Sequence, residues 1–239
     1  MNKFEYGYET SYRLNSSDLF KQFNNYRIYK YITDMLLRLN KTDLVHYKVL
    51  EPGCGSGNKL RFFTELRVEP ENCYGLDSSE VAIELCKKFS PASMNFQVGS
   101  ALDMPYDDNT FDLSVCSGLF GCFNEDQDVE ALIGELHRVL KRNGVLFIID
   151  LNENFNSMYA NSETVMAKNL RSYNSQNQEL QKLLSDRFKS VATIPIIASE
   201  VYGNKEGNTA GVIDLPYIDH RIDSGNWACA YSMWVFYNN

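Results

Sequence analysis

The chain has 239 residues, 44% of them hydrophobic and 23% charged, with a formal net charge of −8. Length and composition fit one globular domain with at most an appendage, and they exclude a disordered or fibrous chain. The acidity argues against nucleic acid and anionic membranes as partners, since both ask for a cluster of Lys and Arg that no stretch of this chain supplies.

Residues 1–46 are rich in aromatic side chains and read as a helical appendage. Ser16, Ser17 and Asp18 offer N-caps, and Leu19, Phe23, Tyr26, Ile32, Met35, Leu36 and Leu39 recur at helical intervals, so about two helices are expected. Most of this stripe is expected to pack on the main sheet. Tyr6, Tyr8, Tyr12 and Arg13 precede the first amphipathic helix and could instead cover a ligand as a lid. The opening residues lack an apolar run followed by a cleavage site, and no later apolar run is long enough to span a bilayer, so a cytoplasmic protein is expected.

Residues 49–57 read Val-Leu-Glu-Pro-Gly-Cys-Gly-Ser-Gly. A β-prone run reaches an acid, Glu51, and breaks into glycines at 53, 55 and 57, whose backbone can turn sharply and lie against a ligand without a Cβ in the way. Leu60, Phe63 and Leu66 follow at helical spacing, so the loop opens a helix whose first N–H groups face the bound molecule. Strand, glycine loop and helix together form a binding unit.

Strand and helix patterns then alternate. Strands are expected at 47–51, 72–77, 94–98, 111–117 and 144–150, and helices at 58–66, 79–89 and 125–141, with Pro105 keeping the stretch after the third strand a loop. Such alternation builds a parallel sheet with helices on both faces and puts the ligand at the carboxyl ends of the strands. After Asp150 the regularity stops: residues 152–177 are rich in Asn and Ser, 179–188 is a helix candidate, and β-rich runs at 190–202 and 227–237 flank a long polar stretch, either functional or decorative. Cys54, Cys73, Cys86, Cys116, Cys122 and Cys229 form no Cys-x-x-Cys pair, so buried free thiols are expected, and no metal site.

Asp77 ends the second strand about twenty residues past the glycines, where a carboxylate can accept from both hydroxyls of a ribose; ahead of two serines it could instead be an N-cap, a role Ser78 could share, but the position at a strand end favours the ribose. The spacing Gly53-x-Gly55-x-Gly57 differs from the Gly-x-Gly-x-x-Gly of dinucleotide sites. The third strand leads into Val98-Gly99-Ser100-Ala101-Leu102-Asp103-Met104-Pro105-Tyr106, and residues 136–149 read Leu-His-Arg-Val-Leu-Lys-Arg-Asn-Gly-Val-Leu-Phe-Ile-Ile. With these motifs in order, residues 47–150 resemble the class I S-adenosylmethionine-dependent methyltransferases, in the group that includes the ubiquinone and menaquinone biosynthesis enzymes.

The expected architecture is therefore α/β: a Rossmann-like seven-stranded, mostly parallel sheet with an antiparallel last strand, helices on both faces and an N-terminal helical lid. Residues 1–46 would be the lid and 47–239 the methyltransferase domain, with substrate-specific insertions within 152–226. The resemblance implies S-adenosyl-L-methionine as cosubstrate. By it, Glu51, Gly53, Cys54, Gly55 and Gly57 cradle the amino-acid half, Asp77 holds the ribose, Ser78 or its neighbour flanks the adenine, Ser100, Ala101 and Leu102 line the far edge of the base, and Ser117 sits beside the sulfonium. Ser100 stands where the family usually has Asp, which leaves a neutral acceptor for the adenine amino group. Arg142-Asn143-Gly144 replaces the usual Pro-Gly-Gly, and a turn survives because Asn tolerates a left-handed backbone.

After the fourth strand stands Ser117-Gly118-Leu119-Phe120-Gly121-Cys122-Phe123. The Asn/Asp-Pro-Pro-aromatic signature of enzymes that methylate amino groups of bases or glutamine is absent, as is a Pro-Cys pair, which points to a small-molecule acceptor. Phe120 and Phe123 either wall its pocket or pack beneath the following helix. An acceptor hydroxyl or protonated amine must lose a proton. Of the histidines, His46 is expected at the surface and His137 in a structural role on its helix; His220 is left as base by elimination, with a solvated loop histidine as the competing reading and Asp150 and Glu153 as acidic alternatives. Tyr12 could steady the cation with its ring face. The expected activity is methyl transfer to an oxygen or nitrogen of a small molecule. Its rivals are an NAD(P)-dependent oxidoreductase, which shares the glycine loop and ribose carboxylate, and a protein that binds the cosubstrate without catalysis.

Overall fold

A computed structural model of the chain describes residues 19–152, 171–173, 178–198 and 229–239. Helix α1 spans Leu19–Arg38, and Ile28, Ile32, Met35 and Leu36 form the i, i+4, i+7, i+8 stripe that it buries against the sheet. It is one continuous helix; Tyr6, Tyr8, Tyr12 and Arg13 lie outside the described residues.

Seven strands follow: β1 Val49–Pro52, β2 Cys73–Asp77, β3 Asn95–Val98, β4 Phe111–Ser117, β5 Leu140–Leu151, β6 Phe188–Ala198 and β7 Cys229–Asn238, in the order β3-β2-β1-β4-β5-β7-β6. The first five pair in parallel, and β7 runs antiparallel to both β5 and β6. From β1 the chain winds outward to β2 and β3, then returns to lay β4 on the other side of β1. This reversal splits the connections at the carboxyl end of β1 and opens the crevice where α/β sheets take ligands.

Helices α2 (Asn58–Glu65), α3 (Glu80–Phe89) and α4 (Asp126–Val139) are the crossovers, and α5 (Glu179–Leu184) is a short addition. Two apolar layers result. Leu60, Phe63 and Ile83 join Ile32 and the inward residues Val49, Val115 and Phe147 on one face. Leu132, Leu136, Leu180 and Leu184 meet Phe111, Leu146, Trp234 and Phe236 on the other. Buried on both faces, β4 and β5 read as apolar runs without alternation.

Several boundaries differ from expectation for identifiable reasons. β5 begins at Leu140 because Phe111 pairs with Leu140 before a register shift, after which Leu113 pairs with Val145. The residues between are accommodated by Asn143 at φ 61°, the left-handed asparagine of the expected turn. The helix expected over 179–188 stops at Leu184, because Phe188 is taken into β6 opposite Asn238. β6 carries Pro195 inside a strand; it lies at the sheet edge beside a register shift, where a missing N–H is tolerated. The run expected over 190–202 is described only to Ala198, and that over 227–237 only from Cys229. No described helix is long and apolar enough to cross a membrane.

Candidate active site

The sheet's reversal point is lined by the glycine loop. Gly53, Gly55 and Gly57 adopt φ of 66°, 52° and 74°, all in the left-handed region that costs a side-chain-bearing residue about 1–2 kcal/mol. Cys54 N–H donates to the Leu76 carbonyl at 3.0 Å and Gly57 N–H to the Cys54 carbonyl at 2.8 Å, which curls the chain back onto the end of β2. Gly57 is then the N-cap of α2 and supplies no side-chain cap; of the helix's first N–H groups, that of Leu60 goes to Glu51. Arg61 braces the outside of the loop, donating to the Ser56 carbonyl at 2.7 Å, to Ser90 Oγ at 3.0 Å and to Asn58 Oδ1.

Glu51, two residues ahead of the first glycine, is 2% exposed. Its carboxylate accepts from the Leu60 backbone N–H, while Oε2 accepts a hydrogen bond from no described residue. Burial pushes the carboxyl up to about 7, against the opposing pull of Lys59 and Arg61. Above it Tyr29 of α1 stacks on Phe62 with centroids 4.1 Å apart, and its hydroxyl donates to the Asn58 carbonyl at 3.2 Å. Burial, and then the Glu51 charge, push that phenol up to about 12.

Asp77 faces the loop from the end of β2. Oδ2 accepts from Gly55 N–H and Oδ1 from Ser79 N–H, each at 2.9 Å. The carboxylate thus fixes the loop and the start of α3 together, with each oxygen retaining a second lone pair for a ligand hydroxyl. The N-cap of α3 is neither Asp77 nor Ser78 but Ser79, whose Oγ accepts from Ala82 N–H at 3.3 Å; Ser78 is exposed. Gly99 N–H donates to the Asp77 carbonyl at 2.9 Å, which brings the third motif to the same rim. There Ser100 Oγ accepts from Leu102 N–H at 3.1 Å, so its hydroxyl shapes its own turn first.

The fourth wall follows β4. Ser117 ends the strand, and Gly118, at φ 68°, donates to the Ile149 carbonyl at 2.8 Å. Leu119 then lies on the glycine loop, close enough that a Cβ at Gly53 would come within 2.8 Å of its Cδ1. Phe120 is fully buried with its ring edge-on to Tyr173, which decides for packing over a pocket wall. Asp150, 1% exposed, accepts from Gly121 N–H at 3.1 Å and from Leu151 N–H at 2.8 Å, and burial pushes its carboxyl up to about 6. It thereby ties this loop to the end of β5.

The sequence pattern described as a methyltransferase domain matches residues 50–148, the span that carries the glycine loop, Asp77, the Gly99–Leu102 stretch and the Ser117–Phe120 turn. Residues 50–148 form a methyltransferase domain. The chain is 32% identical over 108 residues to the demethylmenaquinone methyltransferase of Staphylococcus epidermidis (44% of each chain). It is 30% identical over 133 residues to the ajmaline N-methyltransferase of Rauvolfia serpentina, 50% of this chain and 43% of that one. These alignments span about two fifths of the length of the curated relatives. Among solved structures, the methyltransferase bound to the Trm112 activator of Haloferax volcanii superposes over 100% of this chain and 98% of its own with a TM-score of 0.65, at 14% identity, which is likeness of fold.

Of the residues singled out in the sequence, the methyltransferase fold brings Glu51, Gly53, Cys54, Gly55, Gly57 and Asp77 into direct contact or hydrogen bonding around the loop, and carries Ser100, Ala101, Leu102 and Ser117 on the adjoining strand ends. Tyr12 and His220 lie outside the described residues. His46 is at the surface beside Glu69, and His137 packs edge-on to Phe188. Leu119, Tyr29 and Ser79 were not singled out for the site; only Ser79, three residues ahead of Ala82 in a capping pattern, left a signal in the sequence. Among the described residues no cluster of three or more His, Cys, Asp or Glu could hold a metal ion.

Proposed function

We propose that the chain transfers the methyl group of S-adenosyl-L-methionine to an oxygen or nitrogen of a small molecule. The observation that carries this reading is Glu51: a carboxylate 2% exposed, with one oxygen lacking a donor among the described residues, on the floor of a loop of three left-handed glycines. An α-ammonium group supplies the charge and donors that this oxygen lacks. The loop N–H groups suit a carboxylate, and the free lone pairs of Asp77 suit ribose hydroxyls. Ser78, Ser100, Ala101 and Leu102 would border the base and Ser117 the sulfonium.

The cosubstrate supplies an electrophilic methyl on a cationic sulfur. The protein's part is to hold an acceptor in line with it and to keep water out, a proximity effect of at most about 7–11 kcal/mol. His220 is assigned as the acceptor's base and Tyr12 as the ring facing the cation, both on sequence grounds. The relatives are consistent with small-molecule acceptors, one of them acting at nitrogen by its name.

Calorimetric titration of the full chain tests the reading. Saturable binding of S-adenosylhomocysteine with no heat from NAD is expected, and the reverse pattern would move the chain to the oxidoreductases. Turnover of S-adenosylmethionine with panels of small amines and phenols should follow; binding without turnover across those panels would favour the non-catalytic binder.

A further inference from the structure

Two thiols meet beneath the glycine loop. Cys54, between Gly53 and Gly55, and Cys86, on the inner face of α3, are 4% and 0% exposed, and their Sγ atoms lie 3.8 Å apart. Cys86 Sγ donates to the Gly55 carbonyl at 3.1 Å, so the reduced pair belongs to the loop's scaffold. The surrounding glycines make room for sulfur: a Cβ at Gly57 would stand 3.0 Å from Cys86 Sγ, and one at Gly75 3.0 Å from Cys54 Sγ. Methyl transfer has no use for either thiol.

Bonding requires the sulfurs to close to about 2.05 Å. Cys86 is held in the second turn of α3 with Ala82 and Ile83 buried beside it. Cys54 is hinged by two positive-φ glycines. The loop side therefore moves, the thiol's donation to the Gly55 carbonyl is lost, and the Gly55 N–H to Asp77 bond is pulled out of line. We propose that Cys54 and Cys86 form a redox-sensitive pair whose disulfide distorts the glycine loop and shuts off binding of the methyl donor. The second half rests on the cosubstrate reading above.

The oxidant is a hydroperoxide or a small-molecule disulfide. The two thiols give up two protons and two electrons as the S–S bond forms; hydrogen peroxide leaves as two waters, or glutathione disulfide as two glutathione thiols. Contact with Cys86, and then burial, push the Cys54 thiol well above its ordinary range, so attack requires the loop to lift. A filled cradle holds the loop down and slows the oxidation.

The experiment treats the full chain with glutathione disulfide, maps its disulfides by mass spectrometry, and titrates S-adenosylhomocysteine before and after. A 54–86 linkage is expected, with affinity falling at least tenfold, recovery on adding dithiothreitol, and slower linkage when S-adenosylhomocysteine is present. Cys86→Ala, and separately Cys86→Ser, should show no change in affinity between reducing and oxidising conditions. Absence of the 54–86 linkage, or linkage with unchanged affinity, would overturn the proposal. If the reduced chain binds no S-adenosylhomocysteine, the cosubstrate reading fails on its own; the switch is then judged by amide exchange across residues 53–57, which should rise on oxidation and refutes the loop distortion if it does not.

Discussion

The binding role proposed for Glu51 opposes its contribution to stability. In the unfolded chain its carboxyl ionises near 4.5, and in the folded protein near 7. Between those values the unfolded state binds fewer protons than the native one, so this group's contribution falls as pH rises through the window and is level outside it. The full cost of ionising the buried acid is roughly 3 kcal/mol. Glu51→Gln removes that cost while keeping an acceptor for Leu60 N–H. Thermal melts of the free protein should therefore show the variant gaining on wild type steadily from pH 4.5 to 7, then running parallel. Asp150 lowers both curves alike over the acid part of that range. The same variant should bind S-adenosylhomocysteine at least tenfold more weakly, the worth of a hydrogen bond to a charged group. A variant that neither gains stability nor loses affinity would show that Glu51 is solvated and not part of the cradle.

At the scale of elements, the third-motif loop is held by α4. Arg138 donates to the carbonyls of Tyr106 and Met104 at 2.6 and 2.9 Å and to Asp108 at 2.9 Å, and Glu135, one helical turn earlier, takes its Nε and also accepts from Met104 N–H. Arg138→Met should cost about 1–2 kcal/mol in urea unfolding and speed amide exchange at Met104, and Arg138→Lys should recover little because an ammonium cannot fork between two carbonyls. Arg138 illustrates where the sequence stops speaking. The alternation of strands and helices was legible because each strand is short, apolar and bounded by breakers, and the glycine loop was legible because left-handed backbone selects its residues. The clamp was not, since its partners lie about thirty positions away along the chain. The same holds for Leu119 against Gly53 and Tyr29 against Phe62. The end of α5 was misjudged likewise: Leu180, Leu183, Leu184 and Phe188 fit one helical stripe, but Phe188 is worth more in the sheet beside Asn238.

At the scale of the whole molecule, the sheet is closed by β7, inserted between β5 and β6, with Trp234 and Phe236 fully buried. Its apolar pattern was readable, and its antiparallel direction was implied by the family resemblance; its insertion between β5 and β6 was not readable, because strand order depends on pairings made after the chain returns. One residue locks that return. Asn238, 3% exposed, donates from Nδ2 to the carbonyls of His137, Leu140 and Lys141 at 3.1, 2.8 and 3.3 Å, where α4 passes into β5. Asn238→Ala should cost about 1–3 kcal/mol by leaving those carbonyls without a donor. In a protein of this size that is about 2–4 °C of melting temperature per kcal/mol, with an unchanged denaturant slope. Asn238→Asp has nearly the shape of the native residue but turns an anion toward three carbonyls, so it should lose more than Ala despite filling the space. If Asp proves as mild as Ala, the site is held by packing; if Asp is clearly worse, donation from this one amide ties the last strand to the centre of the sheet.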